Sequence, residues 1–283
     1  MITGMPRIAI AVHDFGATVE LFRDKLGMPV IDMSDSSVQN LGAKLAMCTP
    51  AGGSNIELMS PGDPATPLSQ SLERFLDRRG EGLFALMLEA PDPNAEATDL
   101  IERGLNVLPL MAGAGGRDVH PKSTHGVLIR VYPENSFGGS QADDADLSAG
   151  LSGIARVIIA VKNLDDAMDV YGRQFNMVIE EPFLDSERGV CSSLCRPPAG
   201  GTIELVSVEN GTRPFANSIQ NFLDSNSEGM YALVLQTDGS STINETLAAR
   251  GMSTSASNSS PNNLELDSAS TLGVRFILEP ARV

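Results

Sequence analysis

A chain of 283 residues, 42% hydrophobic and 20% charged, has the length of about two domains and too much apolar content for disorder. Its 20 Lys and Arg face 36 Asp and Glu, a formal net charge of −16, so nucleic acid and anionic membranes repel it and neither is expected as a partner. No apolar run approaches the ~20 residues that cross a bilayer, and residues 1–6 lack the basic-then-apolar pattern of a secretory signal. Cys48, Cys191 and Cys195 are too sparse for a disulfide framework, so the expectation is a soluble, acidic, cytoplasmic protein.

In chain order, the β-branched run at 6–12 predicts a strand. Asp14 can cap a helix in which Val19, Leu21, Phe22 and Leu26 form an apolar stripe, ended by Gly27. Strand-like runs follow near 28–32, 43–48 and 55–60, then a helix near 67–78 with Leu68, Leu72, Phe75 and Leu76 on one face. A strand at 83–90 leads to a helix at 94–104, which opens after Pro91-Asp92-Pro93 and ends at Gly104. Strands near 106–110, 116–120 and 126–132 close a β-α-β-β-β order repeated twice. Glycines 113, 115 and 116 lie between strands and so read as a loop rather than a phosphate cradle.

The whole pattern then returns. Residues 7–12, Arg-Ile-Ala-Ile-Ala-Val, reappear at 156–161 as Arg-Val-Ile-Ile-Ala-Val. Glu57 and Glu204 stand 147 apart within Ile-Glu-Leu, as do Ala85 and Ala232, and Gly126 and Gly273. A constant offset over this distance marks a duplication. The predicted organisation is a first domain at 1–133, a Gly/Ser/Asp/Ala-rich linker at 134–152 and a second domain at 153–283, with a polar loop at 253–263. The fold class is α+β, four β-α-β-β-β modules arranged as two tandem domains.

Paired modules of this kind, with a first strand reading Ile8-Ala9-Ile10-Ala11-Val12, resemble the vicinal oxygen chelate superfamily of glyoxalases, extradiol dioxygenases and bleomycin-resistance proteins. Within it the first half is similar to methylmalonyl-CoA epimerases, through residues 7–12, 56–61, 75–89 and His120-Pro121-Lys122-Ser123-Thr124 with Gly126-Val127-Leu128-Ile129. The resemblance implies two curved half-barrels, each with a divalent metal held by four strand side chains. Those positions carry Arg7, Glu57, Ala85 and Arg130 in the first half, and Arg156, Glu204, Ala232 and Ile277 in the second. A guanidinium has no lone pair to give, and one carboxylate per half is too few for a transition metal, so no metal and no other cofactor is expected.

Two readings of the altered site stand side by side. Arg7–Glu57 and Arg156–Glu204 are either structural ion pairs standing where the metal was, or Arg7 and Arg130 hold a carboxylate or enolate oxygen. The resemblance places His120 and Lys122 beside a substrate cavity, His120 as a proton carrier and Lys122 for an anionic tail; an exposed turn explains the same residues. The second half has Asp267 for His120 and Ile277 for Arg130, which favours the first as the working half. The candidates are therefore Glu57 and His120 as catalytic residues, and Arg7, Arg130 and Lys122 as substrate-binding ones. The function expected is a metal-independent isomerase, epimerase or lyase acting on a small carbonyl or carboxylate compound, as a monomer or homodimer. The alternative is a non-catalytic small-molecule binding or drug-sequestering protein of the bleomycin-resistance type.

Overall fold

The computed structural model describes residues 1–34, 41–110, 115–136, 149–238 and 242–281. The first half is one sheet built from β1 (Gly4–Ala11), β2 (Val30–Asp32), β3 (Ala43–Cys48), β4 (Asn55–Pro61), β5 (Gly82–Ala90), β6 (Arg117–Val119) and β7 (Leu128–Pro133), with helices α1 (Phe15–Glu20), α2 (Pro67–Arg79) and α3 (Pro93–Glu102). Its order is β2-β3-β4-β1-β5-β7-β6. The antiparallel pair β1/β5 joins the two modules, while β4 and β7 lie parallel to their own first strands.

The second half repeats this with β8 (Leu151–Ala160), α4 (Leu164–Met168), β9 (Val178–Ile179), β10 (Phe183–Asp185), β11 (Val190–Arg196), β12 (Thr202–Val208), α5 (Pro214–Asn226), β13 (Gly229–Thr237), α6 (Ile243–Ala249), β14 (Thr254–Ala256), β15 (Leu264–Leu266) and β16 (Phe276–Pro280). Its sheet runs β10-β11-β12-β8-β13-β16-β15-β14, with β9 on β11. The fold is two tandem, unclosed domains of matching strand order, as the duplication predicts.

Alternation along β1 splits the sheet into two faces. Ile8, Ile10 and Val12 join one apolar cluster that includes Phe22 and Leu100 of the first half and Ile159, Tyr171 and Phe276 of the second. Ala9 and Ala11 face the other way, with Leu45, Met59, Ala85 and Met87, under Leu68, Leu72 and Leu76 of α2. The second half has its own such cluster beneath α5, containing Val206, Ile219, Leu223 and Ala232.

The halves meet through reciprocal contacts. Met5 of β1 bridges Gly200, and Ile154 of β8 bridges Ser54, whose hydroxyl bonds Met5 O and accepts from Gly201 N at 2.8 Å. Gly53 (φ +64°) and Gly200 (φ +89°) occupy equivalent places in the repeat, where a Cβ would lie 2.4 Å from Ile154 O and 2.1 Å from Met5 O. Both φ values and both close approaches require glycine.

Three local expectations differ from the structure. The helix after Asp14, capped as predicted by Asp14 Oδ1 accepting from Ala17 N at 3.0 Å, widens into a π-turn over Leu21–Lys25, and the repeat does the same over Asp169–Gln174. The expected strand at 106–110 is reduced to an isolated bridge from Val107 to Val119, because Pro109 has no N–H to extend the ladder. Of the expected linker, 137–148 lies outside the described residues, as does Gly113 of the glycine loop, and Leu151 and Ser152 already belong to β8.

Candidate functional site

Register brings Arg7, Glu57 and Arg130 to the sheet face that α2 covers. Arg7 points the same way as Ala9, and Ala9 pairs with Glu57 on β4. Arg7 Nε donates to Glu57 Oε2 at 3.0 Å, and each side chain is only 7% exposed. On the other side Arg7 pairs with Met87, and Met87 pairs with Arg130 of β7. Arg130 is fully buried, with Nε 3.0 Å from Oδ1 of Asp118, its neighbour on β6. That N–H does not point along the contact. All three Arg130 guanidinium nitrogens, and Arg7 Nη1, are buried without a hydrogen-bond partner among the described residues. Two aromatic rings complete the setting: Arg7 lies 4.7 Å over Tyr132, and Arg130 lies 5.7 Å from the Phe84 ring.

The charges adjust to one another. Burial opposes the Arg7 charge, but Glu57, helped by Tyr132 and the Glu57 hydrogen bond, outweighs it and raises the guanidinium pKa. Burial raises the Asp118 carboxyl above its ordinary range against the pull of Arg130. Burial also raises the Tyr132 phenol, opposed by Arg130 and Arg7, so it stays a neutral donor near pH 7. No sequence pattern singles out Asp118, whereas Tyr132 lies two residues beyond Arg130 on one strand and so shares its face.

The residues present do not suit the divalent metal that the resemblance implies. The one carboxylate at those positions is bonded to Arg7, Ala85 offers no donor, and Arg130 brings a second permanent positive charge. Among the described residues no three His, Cys, Asp or Glu side chains gather as metal ligands do.

In the second half Arg156 Nε lies 2.8 Å from Glu204 Oε2, and Arg188 Nη1 lies 2.7 Å from Oε1, so two guanidinium groups share one buried carboxylate. Arg156 also meets Glu279 at 2.9 Å. The group borders a cavity of about 170 Å³ with Ser259, Asn263 and Ile277. Arg188 comes from the turn before β11, held by its N–H to Asp185 Oδ1 at 2.9 Å, and no strand pattern points to it.

His120 and Lys122 do not join Arg7 and Glu57. His120 Nδ1 accepts from Lys122 N at 3.0 Å and caps a short 3₁₀ turn, leaving Nε2 as the protonated nitrogen of the neutral ring. His120 lines a cleft beside α2 with Arg74, Phe84 and Leu128, whereas Lys122 is exposed in another groove with His125 and Gln174. Cys191 and Cys195 are free, and burial pushes the Cys195 thiol up to about 12, unlike an activated nucleophile.

Residues 7–120 match the family described as Glyoxalase/Bleomycin resistance protein/Dioxygenase superfamily. Among solved structures, a mutant of 4-hydroxymandelate synthase from Streptomyces coelicolor is 13% identical, with a TM-score of 0.68 over 100% of this chain and 94% of that one. A xylose isomerase-like TIM barrel/4-hydroxyphenylpyruvate dioxygenase fusion protein is 13% identical, with a TM-score of 0.67 over 99% of this chain and 49% of that one. A methylmalonyl-CoA epimerase in complex with methylmalonyl-CoA and NH4+ is 27% identical, with a TM-score of 0.41 over 48% of this chain and 97% of that one. No curated protein matches the sequence. No helix among the described residues is long and apolar enough to cross a membrane.

Proposed function

Since this chain carries a domain of the glyoxalase/bleomycin resistance protein/dioxygenase superfamily, we propose that it is a metal-independent isomerase, epimerase or lyase acting on a small carbonyl or carboxylate compound. The observation that carries the reading is the set of buried, unpartnered N–H donors on Arg130 and Arg7. Leaving such donors unmet costs about 1–3 kcal/mol each, more when charged, and a carboxylate or enolate oxygen satisfies them. These donors stabilise negative charge on the ligand oxygen, Tyr132 adds a neutral donor, and Glu57 moves the proton from the adjacent carbon. His120, in the neighbouring cleft, serves the other proton when the substrate reaches past Phe84. Lys122, facing a separate groove, is left for an anionic tail.

One observation favours the alternative, a protein that binds without turnover. Glu57 is already bonded to Arg7, so one of the two oxygens that could take a proton is occupied. The discriminating experiment incubates the protein with a panel of 2-oxo acids and acyl thioesters in D2O and follows loss of the Cα–H signal by NMR. Exchange that falls about 10²–10⁴-fold in Glu57→Gln supports the enzyme. Saturable binding without exchange supports the binding protein. Arg130→Met removes either.

A further inference from the structure

The cleft beside α2 encloses about 320 Å³. Ser71, Arg74, Phe75 and Arg78 reach it from one face of α2, at the i, i+3, i+4 and i+7 spacing of a helix. Across it lie Phe84 and Leu128, with His120 at one side and Arg79 at the helix end. Phe75 and Phe84 meet edge to face, with ring centres 5.3 Å apart. In a chain with 36 carboxylate side chains, none among the described residues lines this cleft.

The duplication supplies an internal control. The equivalent cleft beside α5, about 420 Å³, is lined by Ser218, Phe222 and Tyr231 where the first has Ser71, Phe75 and Phe84. The shape is thus repeated but the pair of arginines on the helix face is not. Arg74, Arg78 and Arg79 correspond to Asn221, Ser225 and Asn226, and His120 corresponds to Asp267. Two arginines do line the second cleft: Arg275, which is paired with Glu265 at 2.9 Å, and Arg79, which reaches in from the end of α2 beside Glu81.

We infer that the α2 cleft is a binding site for an organic phosphate, with the phosphate between Arg74 and Arg78 and an apolar body against Phe75, Phe84 and Leu128. Guanidinium forks match phosphate oxygens, and a dianion is a single group that two or three of them can share. The aromatic floor gives a phosphate ester an advantage over the free ion. The site shares Phe84 and His120 with the chemistry proposed above, but its anion is held by Arg74 and Arg78, which that chemistry does not use.

The test is calorimetric titration of the full chain with phenyl phosphate at 150 mM salt, beside inorganic phosphate and phenol. Expected are one saturable site per chain, tighter for phenyl phosphate than for either fragment. Binding should weaken at least tenfold in R74Q/R78Q with an unchanged melting temperature, and hold in R173Q/R196Q, which removes the same charge elsewhere. Installing N221R/S225R in the second cleft should raise the stoichiometry towards two. No saturable binding, equal affinity in the folded R74Q/R78Q variant, or phenol binding as tightly as its phosphate overturns the assignment.

Discussion

Replacing Arg7 by methionine tests how the two halves hold their buried charge. Arg7 and Glu57 are each 7% exposed and 3.0 Å apart. Arg7→Met strands a carboxylate in an apolar surround, and breaking a buried pair in this way costs about 3–5 kcal/mol. The repeat behaves differently. In Arg156→Met, Glu204 keeps Arg188 at 2.7 Å, and Arg156 itself is 25% exposed. Its loss therefore belongs nearer the roughly 0–1 kcal/mol of a solvent-screened pair. Removing both ions in Arg7→Met/Glu57→Leu should recover most of the loss, because isosteric apolar replacement of a buried pair is often neutral or stabilising by about 1–4 kcal/mol. Urea unfolding followed by circular dichroism measures all three, and a single transition is expected because one apolar core runs through both halves. Arg156→Met proving as costly as Arg7→Met, or the double variant no more stable than Arg7→Met alone, would mean that the two halves do not hold their buried charge in this way.

If the first half is the working one, Glu57→Gln and His120→Ala impair turnover or binding while Glu204→Gln changes only stability; loss in a folded Glu204→Gln variant reverses the assignment. Elemental analysis of the purified protein should find no stoichiometric Zn, Co, Mn or Ni, and activity should survive chelators. The Cys195 thiol, held up to about 12 by burial, keeps its proton in the folded chain while an unfolded thiol near 8.5 loses it. Stability should therefore fall as pH rises above about 8.5, by about 1.4 kcal/mol per pH unit for this group. A melting-temperature series from pH 7 to 10.5 with Cys195→Ala checks this, and an unchanged slope in that variant rejects it.

How much of this was legible in the residues depends on the range of the interaction. The family resemblance, which assigns Arg7 with Glu57 and Arg156 with Glu204 to shared metal positions, sufficed to place each pair together, and both pairs sit on neighbouring strands at equivalent rungs. Asp118 beside Arg130 depends on the register of a three-residue edge strand, which no periodicity can fix. Arg188 reaches Glu204 from a turn, and turn side chains carry no facing pattern. His120 was legible as a residue type but not as a location: its turn is capped by its own ring, which directs it to the α2 cleft. The strand expected at 106–110 shows the opposite error, an apolar run read without weighing the missing N–H of Pro109.

The matching close approaches of Gly53 to Ile154 O and of Gly200 to Met5 O describe an arrangement that two identical chains would make about a two-fold axis. In such a dimer every substitution is inherited by both sites at once, so a residue that benefits one cleft must be tolerated in the other. Fusion removes that constraint. Arg74 and Asn221, or His120 and Asp267, have separate codons, and each half is free to drift as long as the seam at Gly53 and Gly200 still closes. A single chain thereby keeps the mutual support of a dimer while letting its two cavities specialise apart.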